Sequence, residues 1–204
     1  MAGKLLRAVL LLCALAPGMT AQAQVSAVAQ IDSGWTISAE PTMAYLKLAR
    51  QAQATLIYIP GGDGSVGMKP HWSDQSPYFK RNYYIAALLG LSDPELTSGV
   101  LNVVIFDSPR ALFDGPDYPK ARASTDHLVR LDSVVQHYRQ LLGKPVWLMG
   151  HSNGGISISE YYKYLQKHRR DTLLDGLIFS SGRDIASFND QANIPALFMI
   201  NEND

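Results

Sequence analysis

Gly150-His151-Ser152-Asn153-Gly154 places a serine hydroxyl between two glycines, after the apolar run Pro145 to Gly150 and before a stretch patterned as a helix. A serine attacks an acyl carbonyl when a base takes its proton and fixed donors meet the oxyanion that develops. The G-x-S-x-G spacing suits that task for a steric reason. A sharp strand-to-helix turn lifts the hydroxyl above a sheet, and the residues two before and two after then approach too closely for side chains. Ser152 is the candidate nucleophile. The alternative, a chance match in an ordinary turn, is weakened by the strand pattern before it and the helix pattern after it.

A second glycine-rich stretch, Gly61-Gly62-Asp63-Gly64-Ser65-Val66-Gly67, follows the apolar run Ala54 to Pro60. It matches G-x-G-x-x-G through Gly62, Gly64 and Gly67, which raises a dinucleotide-binding alternative. That motif needs a helix opening within the glycines and an acid about 20 residues on. The chain instead continues "MKPHWSDQSPYFK", read as a loop because of Pro70 and Pro77, and "NYYIAALL" holds no acid. Met68 stands where a phosphate-cradling loop needs lysine. A plain flexible turn is the remaining reading. No H-E-x-x-H or paired Cys/His spacing occurs, so no metal and no organic cofactor are expected.

These residues need rigid elements behind them. Continuous apolar runs at Ala54–Pro60, Val100–Pro109, Pro145–Gly150, Leu173–Gly182 and Pro195–Asn201 read as strands buried on both faces. A helix is expected from Ser124 to Leu142, with Leu128, Leu131, Val135, Tyr138 and Leu142 on one face and Gly143 ending it. Another follows the serine from Gly154 to Arg170, with a basic last turn that complements the helix dipole. A helix opening at Pro41 and running through Gln53 is expected as well, together with a short strand at Gly34–Ser38. Strands alternating with helices imply an α/β fold, a mostly parallel central sheet with helices on both faces. In such sheets sites collect at the carboxyl ends of strands, where Ser152 lies.

Length and composition agree with one domain: 204 residues, 47% hydrophobic, 18% charged and no net charge. Zero net charge gives no reason to expect nucleic acid or an anionic membrane as partner. Residues 1–23 read as an export signal: Lys4 and Arg7, then the apolar Ala8–Ala16, then Ala21-Gln22-Ala23 at the spacing of a cleavage site. The apolar run is too short to span a bilayer, which takes about 20 residues. Residues 24–204 then form an exported domain, periplasmic or secreted, with no stable membrane anchor. The single cysteine, Cys13, falls within the signal, so the mature chain has no disulfide.

The serine turn, the strand preceding the glycine loop and the alternation of elements together resemble the α/β-hydrolase fold family, from Ala54 to the last residue. Family members often carry His-Gly where this chain has Pro60-Gly61, so the match in the loop is partial. The resemblance implies that the loop after Ala54–Pro60 supplies one oxyanion N–H, from Gly62 or else Asp63, and that Asn153 supplies the other, so Gly62 and Asn153 form the expected oxyanion hole. It also implies a chain order of serine, then acid, then histidine. It implies Asp204 as the acid, with Asp184 and Glu202 as alternatives, and "FMINEND" carries Asn201 where a glycine is common. No histidine follows Asp204. The five present are His71, His127, His137, His151 and His168, and none stands where that order requires. His71 lies in the loop after the glycines, from which it could reach substrate. The expectation is therefore a domain incomplete at its C-terminus, inactive and poorly stable by itself. A naturally short, non-catalytic relative is the competing account.

The expected function is that of an exported serine hydrolase acting on a small-molecule carboxylic ester through an acyl-enzyme. The alternatives are a binding protein that keeps only the fold, or an acyltransferase using the same serine. The aromatic stretches "HWSDQSPYF" and "LFDGPDY" either wall an acyl pocket or merely cover the sheet.

Overall fold

The computed structural model describes residues 26–31, 40–97, 99–113, 117–181 and 193–200. Seven strands, β1 (Ala27–Ile31), β2 (Thr42–Lys47), β3 (Ala54–Ile59), β4 (Leu101–Asp107), β5 (Val146–His151), β6 (Gly176–Ser180) and β7 (Ala196–Met199), form one sheet in the order β1-β2-β4-β3-β5-β6-β7. β2 runs antiparallel to β1 and β4, and the remaining pairs are parallel. The helices are α1 (Pro77–Arg81), α2 (Tyr83–Gly90), α3 (Pro94–Thr97), α4 (Tyr118–Arg122), α5 (Thr125–Leu142) and α6 (Gly154–Lys167). No helix among the described residues is long and apolar enough to cross a membrane.

Side chains of the central strands alternate between two apolar layers, as the two-residue period of a strand requires. Ile57 and Ile59 of β3, with Val104 and Phe106 of β4, pack against Leu131 and Val135 of α5 and Ile158 and Tyr161 of α6. Leu56 and Tyr58, with Val103 and Ile105, turn to the other face and meet Phe79 of α1 and Ile85 and Leu89 of α2. Each large side chain buried this way contributes about 1.5–3 kcal/mol from its removal from water. The expected sheet with helices on both faces is thus present.

Helix α5 begins as its sequence requires. The Ser124 side chain accepts from the His127 N–H, and Gly143, at φ 59, closes the C-terminus by donating to the Arg139 carbonyl. Helix α6 ends at Lys167, short of the expected Arg170. Arg169 turns to φ 55, and the Arg170 guanidinium donates two hydrogen bonds to Asp132, both 3.1 Å.

The expected helix from Pro41 is overturned: Thr42–Lys47 is strand β2. Ala, Leu, Met and Lys favour helix by intrinsic propensity, but this segment is hydrogen-bonded between β1 and β4 and buried from Thr42 through Leu46. Met43 and Tyr45 enter one apolar layer while Ala44 and Leu46 enter the other. Packing on a two-sided sheet outweighs a propensity difference of a few tenths of a kcal/mol per residue. The loop expected through Lys80 ends at Ser76, because Pro77 occupies a first helical position, where its missing N–H costs nothing. Residues Gly34–Ser38 and the export signal lie outside the described residues.

Candidate active site

Parallel pairing of β3 with β5 sets Ile59 level with Gly150, which brings the glycine loop after β3 beside the turn after β5. At that turn Ser152 adopts φ 50, a left-handed conformation that costs a residue with a Cβ about 1–2 kcal/mol. Its amide donates to the Ser180 carbonyl of β6 (2.9 Å), and its own carbonyl accepts from Gly155 N–H (2.9 Å). The strained serine is therefore held from both sides.

The three glycines around it answer to sterics. A Cβ on Gly150 would overlap the Gly154 carbonyl and lie 2.7 Å from the Gly155 nitrogen, and one on Gly154 would overlap the Ile59 carbonyl. A Cβ on Gly61 would sit 2.9 Å from the His151 oxygen and 3.0 Å from Ser152 Cβ. The G-x-S-x-G spacing thus does what its steric argument requires, and Gly61 lets the neighbouring loop close onto the turn.

Ser152 opens into a cleft of ≈ 360 Å³ walled by Gly62, Asp63, Tyr58, Tyr78, Tyr84 and His151. Gly62 is exposed, at φ +60. Neither its N–H nor that of Asn153 has an intramolecular acceptor among the described residues. Asn153 caps the N-terminus of α6, where helix partial charge also favours a developing anion. The structure therefore brings Ser152, Gly62 and Asn153 to one cleft. Asp204, Asp184 and Glu202 lie outside the described residues.

All five histidines are described, and none is hydrogen-bonded to Ser152 Oγ. His151 walls the cleft with its ring against Tyr84 (centroids 4.1 Å apart, planes tilted by 33°) and Nδ1 3.4 Å from Ser180 Oγ. Burial lowers its pKa, although the Ser180 backbone opposes that shift. His71 is exposed and does not line the cleft. Of the aromatic stretch after the glycines, Tyr78 faces the cleft. Trp72 stacks on Tyr78 (5.8 Å) and meets Phe79 edge-on (5.3 Å), and both Trp72 and Phe79 belong to the apolar layer over the sheet. The stretch thus supplies one wall of the cleft through Tyr78 and covers the sheet through Trp72 and Phe79.

Sequence reasoning missed the polar residues beneath the loop. Asp107, at the end of β4, accepts from Val66 N–H and Met68 N–H, both at 2.6 Å. Burial raises its carboxyl to about 6 despite those amide bonds, with the Asp63 charge adding to the rise. Arg122 is fully buried and donates to Ser157 Oγ (2.9 Å) and to the carbonyls of Pro60 (2.9 Å) and Gly62 (3.1 Å). His127 lies between Ser157 Oγ (2.9 Å from Nε2) and Ser108 Oγ (3.1 Å from Nδ1). Burial, then the charges of Arg122 and Arg130, lower its pKa to about 3, so the ring is neutral near pH 7. No group of three His, Cys, Asp or Glu side chains among the described residues is placed to hold a metal. Residues 68–76 show no helix opening within the glycines, the element on which a dinucleotide pyrophosphate would rest.

Neither a protein-family model nor a curated protein matches the sequence. Solved structures do match. A dienelactone hydrolase from Anabaena variabilis superposes with a TM-score of 0.54 at 15% identity, over 88% of this chain and 74% of its own. Esterase Est22 does so at 0.53 and 16%, over 82% of this chain and 47% of its own. XC6422 from Xanthomonas campestris, a serine hydrolase without a lid, does so at 0.50 and 15%, over 85% and 68%. The chain thus spans less than half the length of Est22. At these identities the likeness speaks to architecture, and that architecture is the α/β-hydrolase fold.

Proposed function

We propose that this protein is an exported serine hydrolase of carboxylic esters. Ser152 Oγ attacks the acyl carbonyl, the N–H groups of Gly62 and Asn153 receive the oxyanion, and water releases the acyl group from the serine. Asp204 orients a histidine base that takes the Ser152 Oγ proton and gives it to the leaving alcohol; no histidine among the described residues is bonded to Ser152 Oγ. The single observation that carries the reading is the strained left-handed Ser152 at the β5–α6 turn, with glycines at 61, 150 and 154, where a Cβ would collide with the turn or with the end of β3. Such strain is retained where it aims a reactive group. Esterase Est22 and a serine hydrolase among the structural neighbours support the same chemistry, and the N-terminal pattern Lys4 to Ala23 supports export. A small uncharged acyl ester is the substrate class proposed for the ≈ 360 Å³ cleft.

The test is turnover of a p-nitrophenyl ester by the whole protein and by Ser152→Ala. Loss of at least about a thousandfold in kcat is expected on removing the nucleophile. Equal rates in the two proteins would remove Ser152 from the chemistry. A folded wild type with no turnover would leave the binding-protein alternative.

A further inference from the structure

The Gly62 N–H can stabilise an oxyanion only if the peptide planes on either side of it are fixed. Glycine supplies no side chain to fix them, and at φ +60 it is held by nothing on its own Cα. The plane before it is set locally, because the Gly61 carbonyl accepts from Gly64 N–H at 3.1 Å. The plane after it contains the Gly62 carbonyl, and that oxygen is taken from below by Arg122 Nη2 at 3.1 Å and from the side by Asn153 Nδ2 at 3.3 Å. The same Nη2 holds the Pro60 carbonyl at 2.9 Å. In a trans peptide the C=O of one residue and the N–H of the next point in opposite directions, so Arg122 fixes the Pro60–Gly61 and Gly62–Asp63 units, and the Gly61–Gly62 unit that carries the Gly62 N–H is held between them.

We propose that Arg122 is a positioning residue of the candidate oxyanion hole, holding the Pro60 and Gly62 carbonyls so that the Gly62 amide stays aimed at the cleft before Ser152. Its catalytic consequence rests on the serine-hydrolase reading; the clamp itself does not. The guanidinium is suited to the task because it presents several N–H groups in one rigid plane. Two of its donors are shared between the loop and helix α6, through the 2.9 Å bond to Ser157 Oγ. Arg122 therefore ties the loop carrying one oxyanion donor to the helix whose N-cap, Asn153, carries the other. Ser157 is in turn paired with His127, and His127 with Ser108 at the end of β4. The clamp is thus braced against both the helix and the sheet.

The experiment compares wild type, Arg122→Met, Arg122→Lys and Ser157→Ala as whole proteins. It reads kcat and KM on a neutral p-nitrophenyl ester, and amide hydrogen exchange of residues 60–66 by mass spectrometry. Arg122→Met is expected to lower kcat about 100-fold, the scale of a small misplacement of a catalytic group, with KM within threefold. Exchange of residues 60–66 should quicken about tenfold there and not elsewhere. Arg122→Lys can still donate to one carbonyl and should recover about tenfold of the lost kcat. Ser157→Ala removes the brace to α6 but leaves both loop carbonyls bonded to Arg122, so its loss of kcat and its gain in exchange at 60–66 should both be smaller than those of Arg122→Met. The proposal is overturned if Arg122→Met keeps wild-type kcat and wild-type exchange at 60–66, or if exchange rises equally throughout the chain. Arg122→Lys, which keeps the buried charge, carries the same decision if Arg122→Met does not fold. If the wild type itself has no esterase activity, exchange at 60–66 alone decides the clamp, and only the hydrolase reading falls.

Discussion

Replacing Asp107 by asparagine should make the protein relatively more stable at neutral pH than at acid pH. The Asp107 carboxyl is only 4% exposed, and burial is the largest influence on it, lifting its pKa from 3.8 to about 6. Between those two values the folded protein holds a proton that the unfolded chain has released. The stability this group contributes is therefore complete below about pH 3.8 and is lost as the pH rises through about 6. At 1.36 kcal/mol per pH unit the loss amounts to about 3 kcal/mol by pH 7. The side-chain amide introduced by Asp107→Asn never ionises, so the stability of that variant minus that of wild type should rise by about 3 kcal/mol from pH 4 to pH 7. Every other titrating group is common to the two proteins and cancels in the difference. Urea denaturation of both proteins at half-unit pH intervals measures it. A difference that is flat, or that falls toward pH 7, would refute the reasoning. It would mean that the two amide bonds from Val66 and Met68 lower the carboxyl's pKa more than burial raises it.

Two further outcomes follow from the serine turn. Gly150→Ala would push a methyl into the Gly154 carbonyl; a loss of about 1–3 kcal/mol, the usual range for overpacking, should appear in urea midpoints, with turnover reduced about 100-fold, and unchanged values would contradict the steric account. Ser152→Gly should be about 1 kcal/mol more stable than Ser152→Ala in thermal denaturation, because φ 50 strains any residue with a Cβ; equal stabilities would mean the turn relaxes.

What the sequence disclosed and what it concealed divide along a physical line. The serine turn was legible because one of its constraints acts within the motif itself, where a Cβ on Gly150 would meet Gly154 and Gly155; the constraint on Gly154, which comes from the distant Ile59 carbonyl, was carried by the same spacing. Strands β3 to β6 were legible because burial on both faces demands unbroken apolar runs. Strand β7 forms where its apolar run lies, but the expectation that it is buried on both faces is overturned, since it is the last strand of the described sheet and Leu197, Phe198 and Met199 are exposed. Strand β2 was not, since helix-forming residues after Pro41 are captured by pairing with partners as distant as β4. β1 was passed over because it is short and its exposed and half-buried residues give no apolar run. The braces of the candidate site were hidden for the same reason: Arg122 meets carbonyls 60 and 62 residues away, and Asp107 meets amides 39 and 41 residues away. No local spacing announces such contacts.

The central claim, that Ser152 is an activated nucleophile, is tested most directly by treating the whole protein with a fluorophosphonate and locating the adduct by peptide mass spectrometry. The account predicts one phosphonyl group on the peptide containing Ser152, absent in Ser152→Ala and absent from the denatured wild type. A folded protein that takes up no phosphonate, or takes it up equally in Ser152→Ala, would contradict it.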